Sequence, residues 1–222
     1  MPTLQLTALR AIAASGLAAL RLSSTARPDG TWYFRGERPG PDWHAHGVLI
    51  VRPRDLHDGS LPSIRVAKQR WKNAKTGATC HSRPPDDVGR HYTATVIAIA
   101  LFVWIDAGIG LLAHTRLFPA FDRIHDRTLL RWLKAAAPCG RTLQTAVRRA
   151  LLDLGTSPEA LFPRGLSPPD AERRPWRAPG QVSQLHRGLR MALGAAVGMK
   201  RPAAGLLAEA HRRTPHEPFL IG

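Results

Sequence analysis

The chain has 222 residues, 44% of them hydrophobic, with 32 Lys and Arg against 16 Asp and Glu and a formal net charge of +16. This length suits one domain with appendages, and the apolar content excludes wholesale disorder. Cys80 and Cys139 are its only two cysteines, which excludes a disulfide framework and a four-thiolate zinc site and points to a reducing, cytoplasmic setting.

Only five of the basic residues are lysine; the other 27 are arginine. Guanidinium is weakly hydrated and grips phosphate in a bidentate fork, so this composition suits nucleic acid. Arginine with abundant Ala, Gly and Pro also follows from a GC-rich genome, but that does not account for the scarcity of acids.

Residues 1–26 have no acid and are rich in Ala, Leu and Ser. Ser15 and Gly16 interrupt their apolar stretch, so residues 1–29 are expected to form a weakly helical or disordered leader rather than a secretory signal. A β-rich segment is predicted over 30–89, with strands at 31–35, 47–52 and 64–71 separated by Pro-Gly and Asp-Gly turns. Residues 93–113 carry one charge, Asp106, and have the length of a bilayer span. Only 96–105 is strongly apolar, however, and an acid near mid-span costs about 2.5–3.5 kcal/mol on insertion scales. A buried helix over 92–105, ending at a turn near Asp106, is therefore expected, with no membrane partner. A short second helix is predicted over 109–118, and a third from Asp126, as N-cap, to Ala137. Residues 139–222 read as helical and Pro/Arg-rich, with helices at 141–154, 181–197 and 203–213. The net charge divides into +7 over 1–90, +2 over 91–140 and +7 over 141–222.

On the third helix Arg127, Arg131 and Lys134 stand at i, i+4 and i+7, which places three cations on one face, while Leu130, Leu133 and Ala137 form an apolar stripe. One face for packing and one for anions is the division that a recognition helix in the major groove requires. An ordinary surface helix with a solvated basic face has the same periodicity. Arg65, Lys68, Arg70, Lys72 and Lys75 lie within eleven residues around Trp71, a cluster able to follow a phosphate backbone.

Several short motifs occur together here: Trp43-His44-Ala45-His46-Gly47, the stretch SIRVAKQRWKNAKTGATCHSRPP, Arg90-His91-Tyr92-Thr93, and Arg127-Thr128-Leu129-Leu130-Arg131-Trp132. Over about residues 31–133 the chain resembles a family of uncharacterised bacterial proteins associated with transposons and insertion sequences. Their layout is a transposase-like zinc ribbon followed by a helix-turn-helix. The resemblance implies DNA contacts at Arg127, Arg131 and Lys134 and a phosphate contact at Arg90, with Lys68, Arg70 and Lys72 on the ribbon. The expected thiolates are mostly absent: Lys72 and Thr76 stand where the family has cysteine, so the ribbon is expected to have lost its zinc. A substitute set of Cys80, His81, His44 and His46 can be drawn.

The fold class expected from these readings is mainly α with a small antiparallel β-ribbon, with a helix-turn-helix core over 90–138. The expected function is DNA binding of mobile-element type, accessory to catalysis, with no cofactor and with self-association or a transposase as further partners. Two alternatives stand beside it: a metal-dependent nicking nuclease, in which His44 and His46 form a His-hydrophobic-His motif and Tyr33 or Tyr92 would be the nucleophile, and a membrane protein with one span at 93–113. No phosphate-binding loop, dinucleotide fingerprint, nucleophile elbow or HExxH motif is present.

Overall fold

The computed structural model describes residues 24–56, 60–83, 91–107, 114–115, 119–155 and 179–198. Five strands come first: β1 (Thr25–Ala26), β2 (Trp32–Phe34), β3 (Trp43–Val51), β4 (Val66–Asn73) and β5 (Thr79–His81). The α-helices follow: α1 (Ala94–Asp106), α2 (Asp126–Ala136), α3 (Gly140–Asp153) and α4 (Pro179–Gly198), with short 3₁₀ turns at Pro119–Arg123 and Ala137–Cys139.

The strands form one mixed sheet in the order β1-β2-β4-β3. β4 is its axis. β3 runs antiparallel along the whole of one edge, from Trp43↔Asn73 to Val51↔Val66. The other edge is shared end to end: β2 pairs parallel with residues 66–68, and β5 pairs antiparallel with residues 70–72. Ser82 closes the junction between them. Its amide donates to the Gln69 carbonyl at 2.8 Å, and its hydroxyl accepts from the buried Trp71 indole at 2.8 Å. A bulge between Ala45 and Val48 inserts one residue into β3. Gly47 supplies the left-handed backbone there, at φ 74°. The Gln69 amide fills the bulge, donating to the Gly47 carbonyl at 2.8 Å and accepting from the Tyr33 hydroxyl at 2.5 Å.

This arrangement corrects the expected fold class. A five-stranded mixed sheet beside the helices makes the protein α+β, not mainly α with an antiparallel ribbon. Two features of the chain hid the sheet. β5 is too short for alternation to register, and β1 lies within the stretch expected to be a leader, paired Thr25↔Tyr33.

The helices hold most of the apolar core. α1 is buried on every side from Thr95 to Ile105, as its lack of polar residues predicts. It begins at Thr93, whose hydroxyl caps the Val96 amide and donates to the Asp55 carboxylate at 2.8 Å. Arg54, in the loop after β3, pairs with the same helix entry: its amide donates to the His91 carbonyl at 2.7 Å, and its carbonyl accepts from the Thr93 amide at 3.0 Å. Leu56 and Leu61 carry that loop into the helical core. The core is completed by α3 and α4, which cross closely at glycines. A Cβ on Gly140 would stand 2.5 Å from the Leu185 nitrogen, so only glycine fits. On α4, Val182, Leu185, Leu189 and Leu193 join α1, and His186 stacks flat on Phe102 with its Nε2 3.5 Å from Asp106. α1 and α2 therefore share one core with α3 and α4.

No helix among the described residues is long and apolar enough to cross a membrane. The second helix expected over 109–118 falls outside the described residues except at His114 and Thr115, and the helix expected over 203–213 falls wholly outside them.

Candidate nucleic-acid interface

α2 carries three of the candidate residues, Arg127, Arg131 and Lys134. Its cap is His125, whose Nδ1 accepts from the Arg127 amide at 3.1 Å; the sequence had pointed to Asp126. Asp126 instead occupies the first turn, where a carboxylate complements the helix dipole, with its Oδ1 3.5 Å from the buried His114 ring. The other ring nitrogen of His114 faces the Ile124 carbonyl at 2.8 Å. The entry to α2 is thus fixed by two imidazoles.

Leu129, Leu133 and Ala136 bury one stripe of α2, and Trp132 packs edge-on against Tyr92 with ring centroids 5.2 Å apart. Arg127, Arg131 and Lys134 are all exposed. The three candidate cations therefore occupy solvent on one helix while its other side holds the core.

On the sheet the candidates separate. Lys68, Arg70 and Lys72 alternate along β4 and share one face, but Lys68 is only 2% exposed and is withdrawn as a contact. Arg70 is exposed and Lys72 half-buried. Lys75 lies in the following turn, paired with Asp42 at 3.0 Å, and Arg65 pairs with Asp29 at 3.3 Å. Arg90 lies outside the described residues. The segment 60–83 holds six Lys and Arg and no acid of its own, and two of the six, Arg65 and Lys75, pair with Asp29 and Asp42 from outside it.

The register also shows which residues can act together. Directly paired residues point to the same face of a sheet. His44 pairs with Lys72 and His81 with Arg70, so both histidines join the basic face. The sequence offered these histidines only as metal ligands. Cys80 pairs with Trp71 and therefore lies on the opposite face. The drawn zinc set is thus divided between two sides of the sheet, and the described residues contain no cluster able to hold a metal ion.

Neither tyrosine meets the His44–His46 pair. Tyr33 pairs with Ala67, on the face opposite His44. Tyr92 bridges to Arg54, beyond the far end of β3, and that end, Val51, is itself about 23 Å along the strand from His44 at about 3.3 Å per residue. The metal-nuclease arrangement is not assembled by this fold.

No family model, curated protein or solved structure matches the chain.

Proposed function

We propose that the protein binds DNA, with α2 entering the major groove and the exposed cations of β4 and its neighbours contacting phosphate. The observation that carries this reading is the division of α2, with Leu129, Leu133 and Ala136 in the core and Arg127, Arg131 and Lys134 in solvent. The acid-free segment 60–83 supports it electrostatically. An accessory role beside a transposase, in the cytoplasm, follows from the resemblance to transposon-associated proteins and from the cysteine content.

The test is binding to random duplex DNA across a salt series. Log K is expected to fall with log salt, at about 0.9 for each phosphate neutralised. Replacing Arg131 and Lys134 together by Ala is expected to flatten that slope by about 2 and weaken binding at every sequence. Absent binding at about 50 mM salt, or a salt-independent affinity, would overturn the proposal.

A further inference from the structure

The basic sheet face carries a second feature that only the strand pairing exposes. Trp32 pairs with Val66 and Phe34 with Lys68, so both rings stand on the face of Arg70 and Lys72. β2 and β5 lie end to end along the same edge of β4, and His81 pairs with Arg70. Trp32, Phe34 and His81 therefore form one row of rings, two strand residues or about 6.6 Å apart in the sheet's repeat. Directly beside Trp32 and Phe34 on β4 stand Val66 and Lys68, each 2% exposed; Arg70 and Lys72 continue that row beside His81 and Thr79, and His44 flanks Lys72 on β3. Trp32 and Phe34 are half-buried, and Arg70, His81 and His44 are exposed.

Rings on one face, followed along the sheet by two cations, match the chemistry of an unpaired nucleic-acid strand. Each base of a single strand offers a π-face for stacking, and its backbone offers one phosphate per nucleotide to a parallel line of positive charge. A duplex hides those π-faces within its own stack, so the ring row adds nothing to duplex binding. We infer that this sheet face binds single-stranded nucleic acid, with bases stacked on Trp32 and Phe34 and phosphates held by Arg70 and Lys72. The inference rests on the nucleic-acid reading above and shares its β4 cations, but it adds the rings of β2 and assigns a different form of the ligand from that of α2.

The test compares an oligothymidine single strand with a duplex of the same length, at one salt concentration, using the full chain. Trp32→Leu with Phe34→Leu keeps an apolar side chain at each position and removes both π-faces. This variant is expected to weaken single-strand binding by about 5- to 150-fold per lost stack and to leave duplex binding within about twofold. Trp32→Phe alone is expected to retain single-strand binding. Should the double Leu variant not melt cooperatively, Arg70→Gln with Lys72→Gln replaces it and is expected to weaken single-strand binding and lower its salt slope by about 1.4, at 0.7 per phosphate. Unchanged single-strand binding in the folded variant, or equal loss for single strand and duplex in the Leu variant, would overturn the inference. Wild-type protein that binds duplex alone would overturn it while leaving the α2 reading intact. Single-strand binding without duplex binding would support it and overturn α2 as the groove helix. Binding to neither would overturn both.

Discussion

The sheet and the helices are stabilised in different ways. The helical half has a continuous apolar core running through α1, α2, α3 and α4, with Ile99, Leu101, Leu129 and Leu143 at or below 1% exposure. The sheet has a small apolar centre at Val66, against which Val51 and Ile64 pack. Its interior is otherwise organised by polar contacts: Gln69 in the bulge, Trp71 on Ser82, and Asp29 turned onto Thr31. The difference indicates where binding chemistry can reside. The sheet, ordered mainly by pairing and directional hydrogen bonds, leaves Arg70, His81 and His44 exposed on one face while Val66 and Lys68 on that face are buried. The helical half exposes its candidate cations on the outer stripe of an element anchored by burial.

The largest effect expected from breaking this contrast lies in the helices. Leu129→Ala removes a fully buried side chain from α2 and is expected to cost about 2–5 kcal/mol, read as a lower denaturation midpoint and a loss of duplex binding as α2 loosens. A loss well under 1 kcal/mol would mean that α2 is not seated in the core.

An intermediate effect is expected at the junction of β2 and β5. Ser82→Ala deprives the buried Trp71 indole of its acceptor and is expected to cost about 1–3 kcal/mol. If polar contacts order the sheet, this substitution should increase amide exchange in β4 and β5 while α1 stays protected. Equal loss of protection in both halves would show that they open as one unit.

The smallest effect concerns Asp29. The Thr31 amide and hydroxyl, and after them Arg65 and Arg27, hold its carboxyl below the usual carboxylate range. A carboxyl depressed in the folded state contributes stability above its unfolded pKa and loses that contribution as pH falls through the folded value. Melting of the wild-type sheet is therefore expected to weaken slightly as acid is added below the ordinary carboxylate range. Asp29→Asn is expected to show the weaker behaviour already at neutral pH, with that part of the acid dependence gone. An identical acid profile in the variant would remove Asp29 as its source.

Helices were the most legible elements. The predicted 92–105, 126–137, 141–154 and 181–197 correspond to Ala94–Asp106, Asp126–Ala136, Gly140–Asp153 and Pro179–Gly198. Apolar periodicity over ten or more residues gives a strong local signal. Three strands were also legible, at Trp32–Phe34, Trp43–Val51 and Val66–Asn73. The parallel pairing of β2 with β4 was not, because strand direction is set by partners distant in sequence. On α2 the exposure of Arg127, Arg131 and Lys134 followed from spacing alone. On β4 spacing placed Lys68, Arg70 and Lys72 together, but burial of Lys68 depends on what covers that end of the sheet.

The sequence by itself determined the charge, the all-round apolar α1 and the amphipathic division of α2, since each depends on residue type and local period. Tertiary structure alone decided that Trp32, Phe34, Arg70, Lys72 and His44 share one sheet face and that Cys80 lies on the other. The physical reason is that a strand's two faces are local, but which strands meet, in which direction and in which register, is fixed by contacts far apart in the chain.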